Sequence, residues 1–121
     1  MSKKNATRFI FKVCDTDLWR DAERAGIFVG AEIDLRDGYI HFSTVSQLRD
    51  TLSIHFAGLD NLVLLTVDSF KLDIVWETAR SGDLFPHLYD HLPLDCVVAC
   101  HHLQLTVSGN HVVPENFLCQ F

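Results

Sequence analysis

Tyr39-Ile40-His41-Phe42-Ser43-Thr44-Val45-Ser46-Gln47, residues 39–47, changes period at its centre. Residues 39–43 read as a short strand, on which side chains alternate between faces. Ile40 and Phe42 form the apolar set expected to face the core, with Tyr39, His41 and Ser43 opposite. From Thr44 the pattern becomes Thr-x-x-Gln, a capping box in which Thr44 bonds the amide of Gln47 and the Gln47 side chain returns the bond. A helix to about Phe56 is expected, with Val45, Leu48, Leu52 and Phe56 on its buried face and Gly58 beyond its end. A strand running directly into a capped helix sets the fold as a mixed one.

The flanks agree. Phe9–Val13 has the apolar, β-branched character of a buried strand. Asp15 or Thr16 then caps a helix that Gly26 stops, with Leu18, Ala22 and Ala25 at helical spacing and Trp19 at the margin. Residues 27–37 read as a loop with a short strand, and Asp37-Gly38 as a tight turn. Further strands are expected at Asn61–Val67, Ile74–Glu77 and Cys96 to about Val107, followed by a turn at Ser108-Gly109-Asn110. Two helices among mostly hairpin-connected strands define an α+β fold of small, mostly antiparallel sheets. The expected division is an N-terminal arm over 1–7, one globular domain over 8–114 and a tail over 115–121.

A chain of 121 residues with 48% hydrophobic and 21% charged residues suits one soluble domain. Its net charge of −6 and scattered basic residues offer no stripe for a phosphate backbone, so no nucleic-acid surface is expected. No apolar run approaches a membrane span, and the N-terminus lacks the apolar stretch of a signal peptide. Cys14, Cys96, Cys100 and Cys119 lie in hydrophobic surroundings that suit reduced, buried thiols. A cytoplasmic protein is the expectation. Oligomeric state is not legible.

The densest chemistry lies in residues 77–93, which hold Glu77, Arg80, Phe85, His87, Tyr89 and His91 among Gly82, Pro86 and Pro93. Titratable groups beside aromatic rings on an irregular segment are what a site requires. If residues 87–89 are extended, His87 and Tyr89 share a face. A Glu77–Arg80 ion pair and a loop anchored by Tyr89 are the plainer alternatives. For Tyr39, His41, Ser43 and Thr44 the plainer alternative is a half-solvated strand face with a helix cap.

A metal centre is not expected. Cys96 and Cys100 on one strand would stand about 13 Å apart, too far for one zinc ion. His87 and His91 would share a metal only on a helix, which Pro86 and Pro93 oppose. Ser43 and Ser81 lack a nucleophile elbow, and the glycines are too dispersed for a phosphate loop.

Together, Asp37-Gly38-Tyr39-Ile40-His41-Phe42-Ser43-Thr44, Trp76-Glu77 and Leu84-Phe85-Pro86-His87-Leu88-Tyr89 resemble the family of small bacterial proteins known as domain of unknown function 952. The resemblance runs from Phe9 to about Pro114. It implies an ADP-ribosyltransferase-like fold, in which NAD lies between two small antiparallel sheets. It further implies a small nucleotide-like ligand, with NAD as a substrate and no cofactor otherwise indicated. His41 would then hold a ribose hydroxyl beside Ser43, Thr44 and Tyr39. Tyr89 or Phe85 would stack on a base, and Arg80, His87 or Glu77 would contact phosphate or the reacting ribose. The late strand Cys96–Val107 lacks the glutamate such enzymes carry. Two functions follow as expectations: transfer or hydrolysis at a ribose anomeric carbon, or nucleotide-like ligand binding without chemistry.

Overall fold

A computed structural model describes residues 7–113, which form nine strands and three α-helices in the order β1 (Phe9–Asp15), α1 (Thr16–Ala25), β2 (Ile27–Phe28), α2 (Glu32–Asp37), β3 (Ile40–His41), α3 (Leu48–His55), β4 (Leu62–Asp68), β5 (Ile74–Thr78), β6 (Leu84–Leu88), β7 (Leu92–Pro93), β8 (Val97–Leu105) and β9 (His111–Val112). All strand pairings are antiparallel, in sheets of order β1-β4-β8-β9, β2-β7 and β3-β6-β5. The fold is α+β with three helices rather than two. Ser43 exchanges both backbone hydrogen bonds with Phe11, at 2.8 Å each, and so ties the β3 segment to the edge of β1.

The large sheet carries a core on each face. Ile10, Cys14, Val63, Leu65 and Val67 pack with Trp19 and Ala22 of α1 and with Ile40, Phe42 and Leu88. Phe11, Val13, Leu62, Leu64 and Leu103 pack with Leu48 and Leu52 of α3. Burial on both sides explains why Leu62, Val63, Leu64 and Leu65 of β4 run apolar without alternating. At ~25 cal/mol per Å², burying each Leu or Ile fully stabilises the fold by about 1.5–3 kcal/mol.

The first helix begins as expected, with the Asp15 carboxylate accepting from the amides of Asp17 and Leu18. Gly26 ends it at φ 80°. Its buried face is rotated towards Trp19 and Thr16, and Ala25 is exposed. The expected capping box at residues 44–47 is half made. The Thr44 amide donates to Gln47 Oε1 at 3.0 Å, but the Thr44 hydroxyl meets Ser46. Gln47 also donates to the Leu84 carbonyl at 2.8 Å, which ties this turn to β6, so the helix starts only at Leu48. Val45 precedes the helix and is consequently exposed.

Two further corrections concern the site. The 27–37 segment contains the expected short strand, β2, but also the helix α2 where only loop was expected. The 77–93 segment is largely a hairpin rather than an irregular loop, with Glu77 opposite Phe85 and Val75 opposite His87. Pro86 fits inside β6 because its carbonyl faces β3, where it accepts from the Phe42 amide at 3.0 Å. Its missing N–H is on that same side, just past the two-residue β3–β6 ladder.

At the start of the described chain, the Ser69 hydroxyl donates to the Thr7 carbonyl and Arg8 donates twice to buried Asp68. Beyond the 108–110 turn, β9 pairs with β8 and Val113 is buried. Residues 1–6 of the expected 1–7 arm, Pro114 at the end of the expected domain, and the expected 115–121 tail with Cys119 lie outside the described residues. Cys14 and Cys96 are buried as expected, whereas Cys100 is exposed on β8. Burial pushes the Cys14 thiol up to about 12. No helix among the described residues is long and apolar enough to cross a membrane.

Candidate functional site

Alternation divides the β3-β6-β5 sheet into two unlike faces. Ile40, Pro86 and Leu88 are buried on the inner face, with Ile74 and Trp76 packed beside them. His41, His87 and Glu77 share the outer face, because His41 pairs with His87 across β3–β6 and Glu77 lies diagonally from His87 across β5–β6. The inward turn of Ile40 and Phe42 agrees with the alternation of residues 39–43. Ser43 departs from the exposed stripe. It is buried, and its hydroxyl meets that of Thr51 at 2.7 Å, a link from β3 to α3.

Tyr39 stands at the centre of a ring cluster. Its ring stacks on His87 at 4.2 Å and meets His41 at 4.5 Å and Tyr89 at 5.1 Å. His41 and His87 meet edge to face at 5.5 Å. Each imidazole is held by carboxylate. Nδ1 of His87 donates to Glu77 Oε1 at 2.8 Å, and the Tyr89 hydroxyl donates to the same oxygen. The Tyr89 bond, then the His87 bond, hold the Glu77 carboxyl below its usual range. The same carboxylate pushes Tyr89 up to about 12, because it stabilises the neutral phenol and opposes the phenolate.

With Nδ1 donating, the proton-free position of neutral His87 is Nε2, which has no partner among the described residues. His41 differs. Its Nδ1 lies 2.6 Å from Asp34 Oδ1 and its Nε2 lies 3.1 Å from Asp37 Oδ2, so both nitrogens are engaged.

Asp34 is the residue that sequence reasoning missed. It is 2% exposed, on a helix whose Ile33 and Leu35 are exposed. Its oxygens accept from the Ala31 amide at 2.7 Å, the His41 amide at 3.1 Å and Nζ of Lys12 at 2.8 Å and 3.0 Å. Burial alone would raise its pKa. The His41 side-chain bond, the charge and bond of Lys12 and the Ala31 amide outweigh that and hold the carboxyl at about 2. The only local signal was half of a capping box, Ala31 to Asp34. Lys12, likewise missed, is 5% exposed in the middle of β1.

The remaining expected residues are less central. Glu77 is engaged by His87 and Tyr89 and not by Arg80, which is exposed on the β5–β6 turn. Phe85 and Thr51 line a groove of about 310 Å³ between α3 and that turn. Thr44 keeps a turn role. His91 lines a depression of about 270 Å³ with Val29, Leu35, Tyr39, Tyr89 and Asp90. Among the described residues, no group of three His, Cys, Asp or Glu side chains could hold a metal ion.

Fold and site together define a small single-domain α+β protein of curled antiparallel sheets with a carboxylate-anchored pair of histidines on one open sheet face. The chain belongs to the family described as protein of unknown function (DUF952), whose model matches residues 13–100. It is similar to the crystal structure of protein CC0527 from Caulobacter crescentus, at 36% identity over 92% of this chain and 98% of that one, with a TM-score of 0.86. The solution structure of CC0527 is 38% identical over 84% of this chain and 90% of that one, with a TM-score of 0.76. No curated protein matches the chain.

Proposed function

We propose that this protein binds a ribosyl nucleotide, NAD or an ADP-ribosylated product, over the outer face of β3-β6-β5 and breaks a bond at the ribose anomeric carbon. One observation carries the reading: Glu77 accepts from both His87 and Tyr89, which orients the imidazole and leaves its Nε2 without a partner among the described residues. A carboxylate-oriented imidazole with one free nitrogen is the arrangement general-base catalysis requires. An ADP-ribosyltransferase-like organisation belongs to the same reading and draws support from the division of the strands into small antiparallel sheets.

In this reading Nε2 of His87 takes the proton of a water or acceptor hydroxyl as its oxygen attacks C1′. The C1′–leaving-group bond breaks through an oxocarbenium-like state, and the leaving group departs with the bonding pair. The partly exposed Asp37 carboxylate accepts from a ribose hydroxyl, a role that His41 cannot fill while both its nitrogens are taken. Arg80 supplies a cation for phosphate, and Tyr39 and Tyr89 supply aromatic surface beside the 270 Å³ depression.

The saturated state of His41 favours a second reading, ligand binding without chemistry. One experiment separates the two: thermal shift with NAD and ADP-ribose, followed by mass spectrometry of the ligand. Binding at a hundredfold excess over Kd stabilises the fold by about 2.7 kcal/mol. Catalysis further requires product formation that falls at least ~10-fold in His87→Ala. A shift with intact ligand leaves the binding reading alone, and no shift with either compound overturns both.

A further inference from the structure

Lys12 is a long cationic side chain in the middle of β1, buried between apolar neighbours. Burying an ammonium costs several kcal/mol unless it is paired, so its place in a strand needs a reason. Its partner is Asp34, from a helix that contributes no apolar side chain to either core cluster. Asp34 in turn meets His41 twice, through the backbone amide and through Nδ1. A chain of contacts therefore runs from Lys12 inside the fold, through Asp34, to an imidazole on the open face.

We propose that Lys12 is a positioning residue for His41: it keeps Asp34 an anion inside the fold, and Asp34 fixes Nδ1 of His41 as a donor, so that Nε2 is the nitrogen presented at Asp37. A carboxylate can only accept, so an ionised Asp34 demands a proton on Nδ1, just as the Asp37 carboxylate does on Nε2. If Asp34 took up a proton, one of its oxygens would have to donate, and the demand on Nδ1 would lapse. The ring could then turn, or Nδ1 could give up its proton while Nε2 still donates to Asp37. The charged and titratable groups facing His41 are Asp34 and Asp37 from α2, Lys12 from β1 behind Asp34, Tyr39 just before β3, and His87 from β6 with Glu77 behind it. Among them Lys12 is the cation in contact with the buried carboxylate. This inference concerns the orientation of one ring and does not depend on the ligand being a nucleotide.

Nuclear magnetic resonance on the intact protein tests it. The carboxyl carbon of Asp34 should remain ionised in the wild type down to about pH 2–3. In Lys12→Met, its protonation constant should rise at least ~10-fold, as expected when an adjacent opposite charge is lost. Side-chain nitrogen shifts should show Nδ1 of His41 protonated in the wild type, and that proton should exchange faster with water in Asp34→Asn. His87, held separately by Glu77, should keep its signature in both variants, which separates a positioning effect from general loosening. An unchanged Asp34 titration in folded Lys12→Met overturns the proposal. The wild-type titration decides even if that variant does not fold: an Asp34 carboxyl that protonates near 4 in the native protein also overturns it.

Discussion

Asp34 and His41 are joined at two points, since Oδ1 of Asp34 receives both the backbone N–H and Nδ1 of His41, at 3.1 Å and 2.6 Å. The residues are seven apart and belong to different elements, α2 and β3, with the Gly38 turn between them at φ 86°. One carboxylate thus closes the α2–β3 connection and anchors a ring of the candidate site. With Lys12 as its third type of partner, Asp34 couples the interior of the large sheet to the outer face of the small one.

The first prediction concerns the cost of breaking this pair. Asp34→Asn keeps a single acceptor oxygen, enough for the Ala31 amide or the His41 amide but not both, and leaves the Lys12 ammonium buried without its counter-charge. Removing one member of a buried ion pair costs about 3–5 kcal/mol. Lys12→Met combined with Asp34→Asn removes the orphan charge, and the double variant should be more stable than Asp34→Asn alone. Urea unfolding of all four proteins measures this as a coupling energy. Equal stability of the single and double variants would show that the lone ammonium escapes to water at little cost.

The second prediction is the acid response. The Asp34 carboxyl is held at about 2, below its ordinary value of 3.8. A depressed carboxyl stabilises the fold fully above its unfolded pKa, and that contribution is lost as pH falls towards the folded value. The window is therefore about pH 4 down to 2, with stability rising as pH rises, and the term amounts to roughly 2 kcal/mol. Glu77, Asp37 and Asp68 are also depressed and act with the same sign. The difference between wild type and Asp34→Asn, followed by unfolding across that window, isolates Asp34. It should shrink as the solution is acidified, and a difference constant from pH 5 to 2 contradicts the assignment.

These relationships mark the limit of what the sequence made legible. The inward turn of Ile40 and Phe42 followed from strand alternation, because one face of β3 packs on a core and the other does not. Helix α2 did not follow, because its pattern is inverted: the carboxylate of Asp34 is inside while Ile33 and Leu35 are out. Hydrophobic periodicity cannot find such a helix when the force holding it is an ion pair to a residue 22 positions upstream. The hairpin at 74–88 was obscured similarly. Pro86 and a cluster of polar groups are loop signals, and only the short β3 strand, ending beside Pro86, makes them compatible with a central strand. His41, Glu77, His87 and Tyr89 were recognisable as chemistry, but their pairing is a cross-strand property.

A third prediction follows from the shared oxygen of Glu77. The Tyr89 phenol is pushed up to about 12, first by its hydrogen bond to Glu77. Glu77→Gln removes the carboxylate charge, so the cost of forming a phenolate falls and Tyr89 should ionise at lower pH. Ultraviolet absorbance of the phenolate, with Tyr89→Phe to identify the late component, measures the change. The chain has two tyrosines, which makes the assignment direct. An unmoved late component in Glu77→Gln would mean that another group governs Tyr89.

The fourth prediction places strain beside the same carboxylate. Gly30 adopts φ +112°, a conformation that L side chains rarely take. A Cβ added there would also stand 2.8 Å from Cβ of Asp34, closer than nonbonded carbons approach. Asp34 Cβ cannot swing aside as a flexible side-chain tip could, because its carboxylate is fixed by Lys12, Ala31 and His41. Gly30→Ala must therefore shift the turn, α2, or both, with backbone strain alone costing about 1–3 kcal/mol. Its effect should reach the site: a displaced Asp34 would weaken its bonds to the His41 amide and ring together, and the His41 amide should lose hydrogen-exchange protection. Gly26→Ala is the control, since a Cβ at that positive-φ position meets nothing within 4 Å. It should lower stability through backbone strain while leaving the His41 amide protected relative to the rest of the sheet. If the two variants change His41 protection equally, strain at Gly30 acts on the whole fold and not through Asp34.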